Sequence, residues 1–471
     1  MGYRRNAICA ATSPNPLMTP PQNRPLRLRL LLFAFGDFAF NLYWQSVMLF
    51  LLFYYTDALG VPMALAATTF LVASVWDGIA NFIAGILVDR RGPSRGYGAV
   101  LVLGAVPLGL CFVLVYLPPP ATGLWGVTMV FIAHLLFRTA YAGVNVPYLA
   151  MTARISTDGR DRAFVAGLRM LFGTGAAVVV ALATVPVGRW ITASAVPANA
   201  YLGAAMLFAA IGTLILLAVG TTYREVEISA PGPRPSVRAS LASLARNRAF
   251  VTLNLAMMAM IVAVTILNKS VLYYFKYFLN DDSAGQLALA SMGAVSALAV
   301  PVWMLLNKPF GLRALWFTAA LLGSAGLALF AAIDIHRAGV MQIFLMAMQV
   351  AIVGLNFVFW AMLPNTIEYG ERTTGMRVEG ATFGLAALLQ RVAIGVATAI
   401  LGWSFGSAGY VANVAQSPET LAAMRWTIAV APLTFLGLSC LLMLLNPLSK
   451  GTHARIVRDL GGEREPTRRG G

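Results

Sequence analysis

The stretch Phe70–Gly85 reads FLVASVWDGIANFIAG, a helix-length apolar run interrupted by Asp77 and Asn81. A charged side chain in mid-membrane costs at least ~2.5–3.5 kcal/mol on insertion scales, so such a residue faces a polar interior and serves a pathway. Four residues turn a helix through about 400°, which puts Asp77 and Asn81 on one face. The run therefore reads as a membrane span with a polar seam.

Outward from it, the rest of the chain repeats the pattern. Of 471 residues, 59% are hydrophobic and 11% charged, against about 25% charged in a soluble chain. The apolar material comes in bilayer-length pieces of about 20 residues. These lie near 30–56, 62–88, 97–117, 122–153, 163–187, 200–222, 249–279, 284–306, 314–333, 339–366, 379–405 and 421–446. The sequence thus predicts an all-α polytopic membrane protein with twelve transmembrane helices. A water-soluble enzyme is excluded.

The net charge of +16 invites a nucleic-acid reading, but its placement argues against one. Numbering the spans from an inside N-terminus, inward segments gather Arg90, Arg91 and Arg95, then Arg154, Arg160 and Arg162, then Arg234, Arg238, Arg246 and Arg248. The outward loops hold Arg189 and Arg337 alone. Cytoplasmic loops collect Lys and Arg, so both termini are expected in the cytoplasm. Cys9, Cys111 and Cys440 are scattered between the tail and two distant spans, and no disulfide is expected.

Residues 223–248 form the longest interior connection and contain PGPRPS at Pro231–Ser236, a pattern breaker. The expected organisation is a tail over 1–29, a six-helix bundle over 30–222, a linker over 223–248, a second bundle over 249–446 and a tail over 447–471. Two six-helix bundles with both termini inside is the major facilitator architecture, in which substrate binds near the midplane between the halves. After the second span, GILVDRRGPSR at Gly85–Arg95 places Asp89 and Arg90 at an inner helix end. A carboxylate and arginines there can clamp neighbouring helices and release them.

Polar residues form stripes. The first span presents Asp37, Asn41, Trp44 and Gln45 along one face, planar donors and acceptors beside an aromatic platform, as hydroxyl-rich ligands require. The fourth repeats Arg138, Tyr141 and Asn145, with Arg138 set either to offset Asp37 or Asp77 or to touch substrate. Lys269 and Lys276 sit a heptad apart on the seventh. Lys269 is deep enough for a pathway, whereas Lys276 lies near the outer end, where a lysine snorkels to the interface. His134 reads as a satisfied interior histidine. Glu368, Arg372, Arg377 and Glu379 surround the inner ends of the tenth and eleventh spans, as an ion-pair gate would.

Seven fragments in order resemble the glycoside–pentoside–hexuronide:cation symporters (melibiose permease-like) of the major facilitator superfamily. They are FGDFA at Phe35–Ala39, FYYTD at Phe53–Asp57, VWDGIAN at Val75–Asn81, and Pro147-Tyr148 followed by DGRDR at Asp158–Arg162. YYFKY at Tyr273–Tyr277, WAMLPNTIEYGE at Trp360–Glu371 and GMRVEG at Gly375–Gly380 complete the set. The resemblance covers residues 30–450. It implies sugar-hydroxyl recognition by Asp37, a helix-five sugar-site arginine at Arg169, and cation binding by Asp77. It also puts Arg391 where the family has a lysine close to the cation site.

Departures from the family pattern shape the expectation. Asn81 replaces the second cation carboxylate, Ala142 a hydroxyl ligand, Asn145 a sugar-binding acid, Leu149 a stacking Trp and Asn365 a helix-ten acid. Sodium wants several hard, charged oxygen donors, and Asp77 with Asn81 supplies few. Arginine holds its charge at any accessible pH, so Arg391 stands as an internal cation toward Asp77. Coupling to protons is favoured over sodium.

The expected activity is secondary transport of a sugar, glycoside or uronate by alternating access. Substrate would meet Asp37, Asn41, Trp44, Tyr141, Asn145 and Arg169. Asp77, Asn81 and Arg391 would serve coupling, and Asp89, Arg90, Glu368, Arg372, Arg377 and Glu379 gating. An amphiphile carrier and an uncoupled facilitator are the alternatives. No H-E-x-x-H, C-x-x-C or P-loop occurs, so neither enzyme chemistry nor a cofactor or metal is expected. The expected partners are a small solute and the lipid bilayer, not nucleic acid, with a monomer in a bacterial inner membrane.

Overall fold

A computed structural model describes residues 27–91, 96–121, 123–155, 159–194, 196–224, 236–376, 378–448, 451 and 455–456, except the side chains of 89–91, 153, 159–160 and 162–163. Among the described residues the chain is helical and contains no strand. The elements are α1 (Arg27–Phe53), α2 (Met63–Arg91), α3 (Tyr97–Val115), α4 (Gly123–Met151), α5 (Gly159–Thr192), α6 (Pro197–Thr222) and α7 (Val237–Arg246). They continue as α8 (Arg248–Tyr277), α9 (Asp282–Phe310), α10 (Leu312–Ala332), α11 (Ala338–Thr374), α12 (Glu379–Ser407) and α13 (Pro418–Leu444). Twelve of these are long and apolar enough to cross a membrane, α7 being the exception. Helices satisfy their own backbone hydrogen bonds, which is why apolar runs of this length take that form in lipid.

Helices α1–α6 and α8–α13 form two packed sets, except that α2 and α12 pack most extensively on each other across the junction, where α5 also meets α9 and α1 meets α8. Close approach needs small residues, since lipid-embedded helices associate through packing. A side chain at Gly402 of α12 would collide with Ala67 of α2. Within the first set, one at Gly188 of α5 would strike the Ala200 carbonyl of α6.

Two departures from the sequence reading have local causes. The linker read over 223–248 contains a helix not anticipated there, α7, started by the Ser236 side chain accepting from the Ala239 amide. The helix buries Leu244 and ties to the end of α11 through Ser243 and Thr374 hydroxyls 2.8 Å apart. The tenth span, read as ending at 366, runs on as α11 to Thr374 and stops at Gly375 in the left-handed conformation, φ 70°. Hydropathy marks where lipid ends rather than where the helix does, and glycine takes that cap without a Cβ clash.

Candidate functional site

At the end where α1 finishes, the helix passes into one π turn, Tyr54–Ala58, a feature frequent at functional positions. The turn carries Asp57, whose side chain is 2% exposed. Lys276 of α8 reaches Asp57 Oδ1 with its Nζ at 2.7 Å, and the Tyr277 hydroxyl donates to the same oxygen at 2.5 Å. Tyr410, in the α12–α13 connection, donates to Oδ2 at 2.8 Å, and Asn413 Nδ2 donates to the Asp57 carbonyl at 2.7 Å. One carboxylate from the first helix set thus gathers donors from two segments of the second. Burial drives the Tyr410 hydroxyl pKa far above the ordinary phenol range, so it remains a donor. Lys276 therefore does not snorkel, because a buried carboxylate one helix away outcompetes the interface.

Deeper along the same junction, Lys269 Nζ donates to the Met48 carbonyl at 3.2 Å and stands 3.9 Å from the Phe70 ring centroid. Below it lies Asp77, about 21 Å along α2 from Met63 at 1.5 Å per residue. Asp77 is fully buried. Its Oδ2 meets Arg138 NH1 of α4 at 3.3 Å and Arg391 Nε of α12 at 3.2 Å. Its Oδ1 accepts from Asn81 Nδ2 at 3.0 Å. Asn81 thus offers Asp77 a donor, where a shared cation would need an oxygen.

Arg138 is itself held. Its Nε donates to His134 Nε2 at 3.1 Å, leaving the ring proton on Nδ1, which lies 3.2 Å from the Tyr55 hydroxyl. Both guanidinium groups lie against Trp44 of α1, Arg391 3.7 Å and Arg138 5.0 Å from its ring centroid. Tyr141 closes the aromatic wall, its ring 5.8 Å from Trp44.

Seven residues earlier on α1, about 10 Å toward its start, Asp37 forms a second ion pair. Arg169 of α5 binds it through two nitrogens, Nε to Oδ2 at 2.9 Å and NH2 to Oδ1 at 3.2 Å, in the fork geometry that favours carboxylates. Thr152 accepts from Arg169 NH1 at 2.8 Å and fixes the fork. Tyr148 packs beneath the guanidinium, 5.3 Å away, and donates to the Phe33 carbonyl. Asn41 and Gln45 continue the stripe, Asn41 bonded to the Asp37 carbonyl and Gln45 to Asn41. Asn145 is buried on the Arg138 face of α4, and Leu149, eleven residues on from Arg138 and so on that face, is half exposed.

Of the expected substrate and coupling residues, Asp37, Asn41 and Arg169 thus form one polar cluster and Asp77, Asn81 and Arg391 another, with Trp44 and Tyr141 beside the second and Asn145 placed only by its face of α4. Glu368 and Arg372 occupy the last turns of α11 and Glu379 the first of α12, away from both clusters. Asp89, Arg90 and Arg377 lie outside the residues whose side chains are described. Sequence reasoning missed the Asp57 cluster, although FYYTD marks it, and the His134 bond that orients Arg138.

Set beside known proteins, residues 32–450 match the model of the family described as MFS/sugar transport protein. The chain is 28% identical over 444 residues to the glucuronide carrier protein homolog of Escherichia coli K12, covering 92% of this chain and 95% of that one. It is 26% identical over 431 residues to the isoprimeverose transporter of Lactiplantibacillus pentosus, covering 89% and 88% respectively. Among solved structures, a variant of the nucleoside transporter NupG superposes with a TM-score of 0.65 at 14% identity, over 89% of this chain and 98% of that one. A bacterial homolog of the human lysosomal transporter Spinster, solved inward-facing and unoccupied, gives a TM-score of 0.66 at 13% identity, over 90% and 97%. Identities that low establish the shared fold.

Proposed function

The chain belongs to the MFS/sugar transport protein family, and within it we propose that it carries a sugar, glycoside or uronate by alternating access, coupled to protons rather than sodium. It is a multi-pass membrane transporter. One observation carries the reading: a fully buried carboxylate, Asp77, held at the junction by Arg138 of one helix set and Arg391 of the other. A charge shared across the moving boundary feels every change in the distance between the halves.

Solute recognition falls to Asp37, Arg169, Asn41 and Trp44, which combine planar hydrogen-bonding groups with an aromatic face. The relatives named for a glucuronide and for isoprimeverose support a solute of this class. Coupling falls to Asp77. With a donor amide from Asn81 and two guanidinium groups around it, the carboxylate offers sodium no vacant oxygen shell. When Arg391 moves off, Asp77 loses a compensating charge and takes a proton in its place. The Asp57 cluster seals one end of the junction and is assigned to the outer gate, with both termini in the cytoplasm of a bacterial inner membrane.

The double compensation of Asp77 favours a second reading, uncoupled facilitated diffusion, because an internally neutralised carboxylate needs no ion. Uptake by proteoliposomes against a panel of sugars, with proton and sodium gradients imposed separately, tests both. Accumulation driven by the proton gradient alone supports symport. Sodium-driven accumulation contradicts it, and equilibration without accumulation under either gradient selects the facilitator.

A further inference from the structure

Charge at the junction does not balance. Among the described residues, Asp57 at the junction's end is taken up by Lys276, and deeper in, Arg138, Arg169, Lys269 and Arg391 face two carboxylates, Asp37 and Asp77. Asp37 is matched by Arg169, so Asp77 alone answers Arg138 and Arg391. Lys269 has a carbonyl and an aromatic face instead of an acid.

The donors are in surplus as well. Arg138 NH2 is buried and makes no hydrogen bond, although buried polar groups are nearly always paired. Arg391 holds Asp77 through Nε, its side chain is 19% exposed, and its terminal nitrogens carry no hydrogen bond among the described residues. Both groups lie against Trp44. Unpaired guanidinium nitrogens beside a shared aromatic ring form an anion site, since charge-assisted bonds from arginine to an oxyanion are strong and directional.

We propose that the solute carries an acid group, a carboxylate or sulfonate, which docks on Arg391 and Arg138 in place of Asp77. This rests on the sugar-transport reading and narrows it: hydroxyls are read near Asp37 and Arg169, and the acid about 10 Å along α1 beside Trp44. Arg391 then exchanges one carboxylate partner for another. The exchange releases Asp77 from the second helix set and makes movement of the halves contingent on an acidic solute.

The test uses the purified full-length protein in sodium-free detergent solution, titrated calorimetrically with three probes: methyl glucuronide, methyl glucoside and cyclohexanecarboxylate. Glucuronide is expected to bind about ten- to a hundred-fold more tightly than glucoside, the range set by a hydrogen bond to a charged group. Arg391→Gln should abolish that preference, and Arg391→Lys should reduce it several-fold, which carries the test should the glutamine variant not fold. Equal or tighter binding of glucoside overturns the acid site and leaves sugar transport standing. A preference that survives in both Arg391 variants also overturns it. Arg391-dependent binding of cyclohexanecarboxylate without either sugar upholds the acid site and defeats the sugar reading. Binding of none of the three overturns both.

Discussion

Replacing Asp77 by Asn removes one negative charge and keeps the shape. In the native protein Oδ2 accepts from Arg138 at 3.3 Å and is ion-paired with Arg391 Nε at 3.2 Å, so those two nitrogens lie no more than about 6.5 Å apart, the two contacts laid end to end. At an effective dielectric near 20, two unit charges at that distance repel by ~2.5 kcal/mol. The amide oxygen can still accept from one arginine, while the other loses its partner. Breaking a buried pair by removing one member costs ~3–5 kcal/mol, and the repulsion is a large share of that. Asp77→Asn should therefore be destabilised by about that amount, whereas Asp77→Asn combined with Arg391→Gln should regain ~2–3 kcal/mol. The assay is the apparent unfolding midpoint of each detergent-purified variant at fixed pH and salt, with membrane insertion checked beforehand. The order expected is native, then double variant, then single variant. A single variant as stable as the native protein, or a double variant less stable than the single, would refute the reasoning.

Three further outcomes follow. Asp37→Ala should weaken solute binding about ten- to a hundred-fold, because it leaves the Arg169 fork unpaired; unchanged affinity by calorimetry would remove Asp37 from the site. Asp57→Asn should loosen the cluster of Lys276, Tyr277, Tyr410 and Asn413, raising labelling of a cysteine introduced at Met48; labelling equal to that of the native background would show that this cluster does not seal the junction. Arg391→Gln together with Asn81→Asp should create sodium-stimulated transport by exchanging an internal cation for an oxygen ligand, and indifference to sodium in that variant would count against Arg391 as the substitute cation.

Much of the architecture was legible because the bilayer imposes it. A span must be apolar for about 20 residues and satisfy its own backbone, so twelve runs could be read directly. Helix α7 was not legible in the same way: it is too short to be a span and is stabilised by the Ser236 cap and its docking on α11, neither of which hydropathy registers. Within the site, Asp77 and Asn81 announced themselves as polar breaks in an apolar run. Their partners did not. Arg138 lies 61 residues from Asp77 and could equally have served Asp37 until the rotation of α4 was known. Lys276 read as an interface lysine because Asp57 stands 219 residues away in sequence. Asp37 and Arg169 were both assigned to solute by resemblance, yet that they neutralise each other depends on how α1 faces α5. Residue types reveal which side chains lipid will not tolerate alone, and helix packing decides which of them meet.

The central claim is that Asp77 links proton movement to solute movement. It is tested most directly by recording external pH while methyl glucuronide or methyl glucoside is added to weakly buffered, sodium-free proteoliposomes with no imposed gradient. The account predicts that a transported solute draws protons inward, alkalinising the medium in native vesicles, while vesicles bearing Asp77→Asn stay flat. Solute entry without a pH change in native vesicles, or the same alkalinisation in Asp77→Asn, would contradict it.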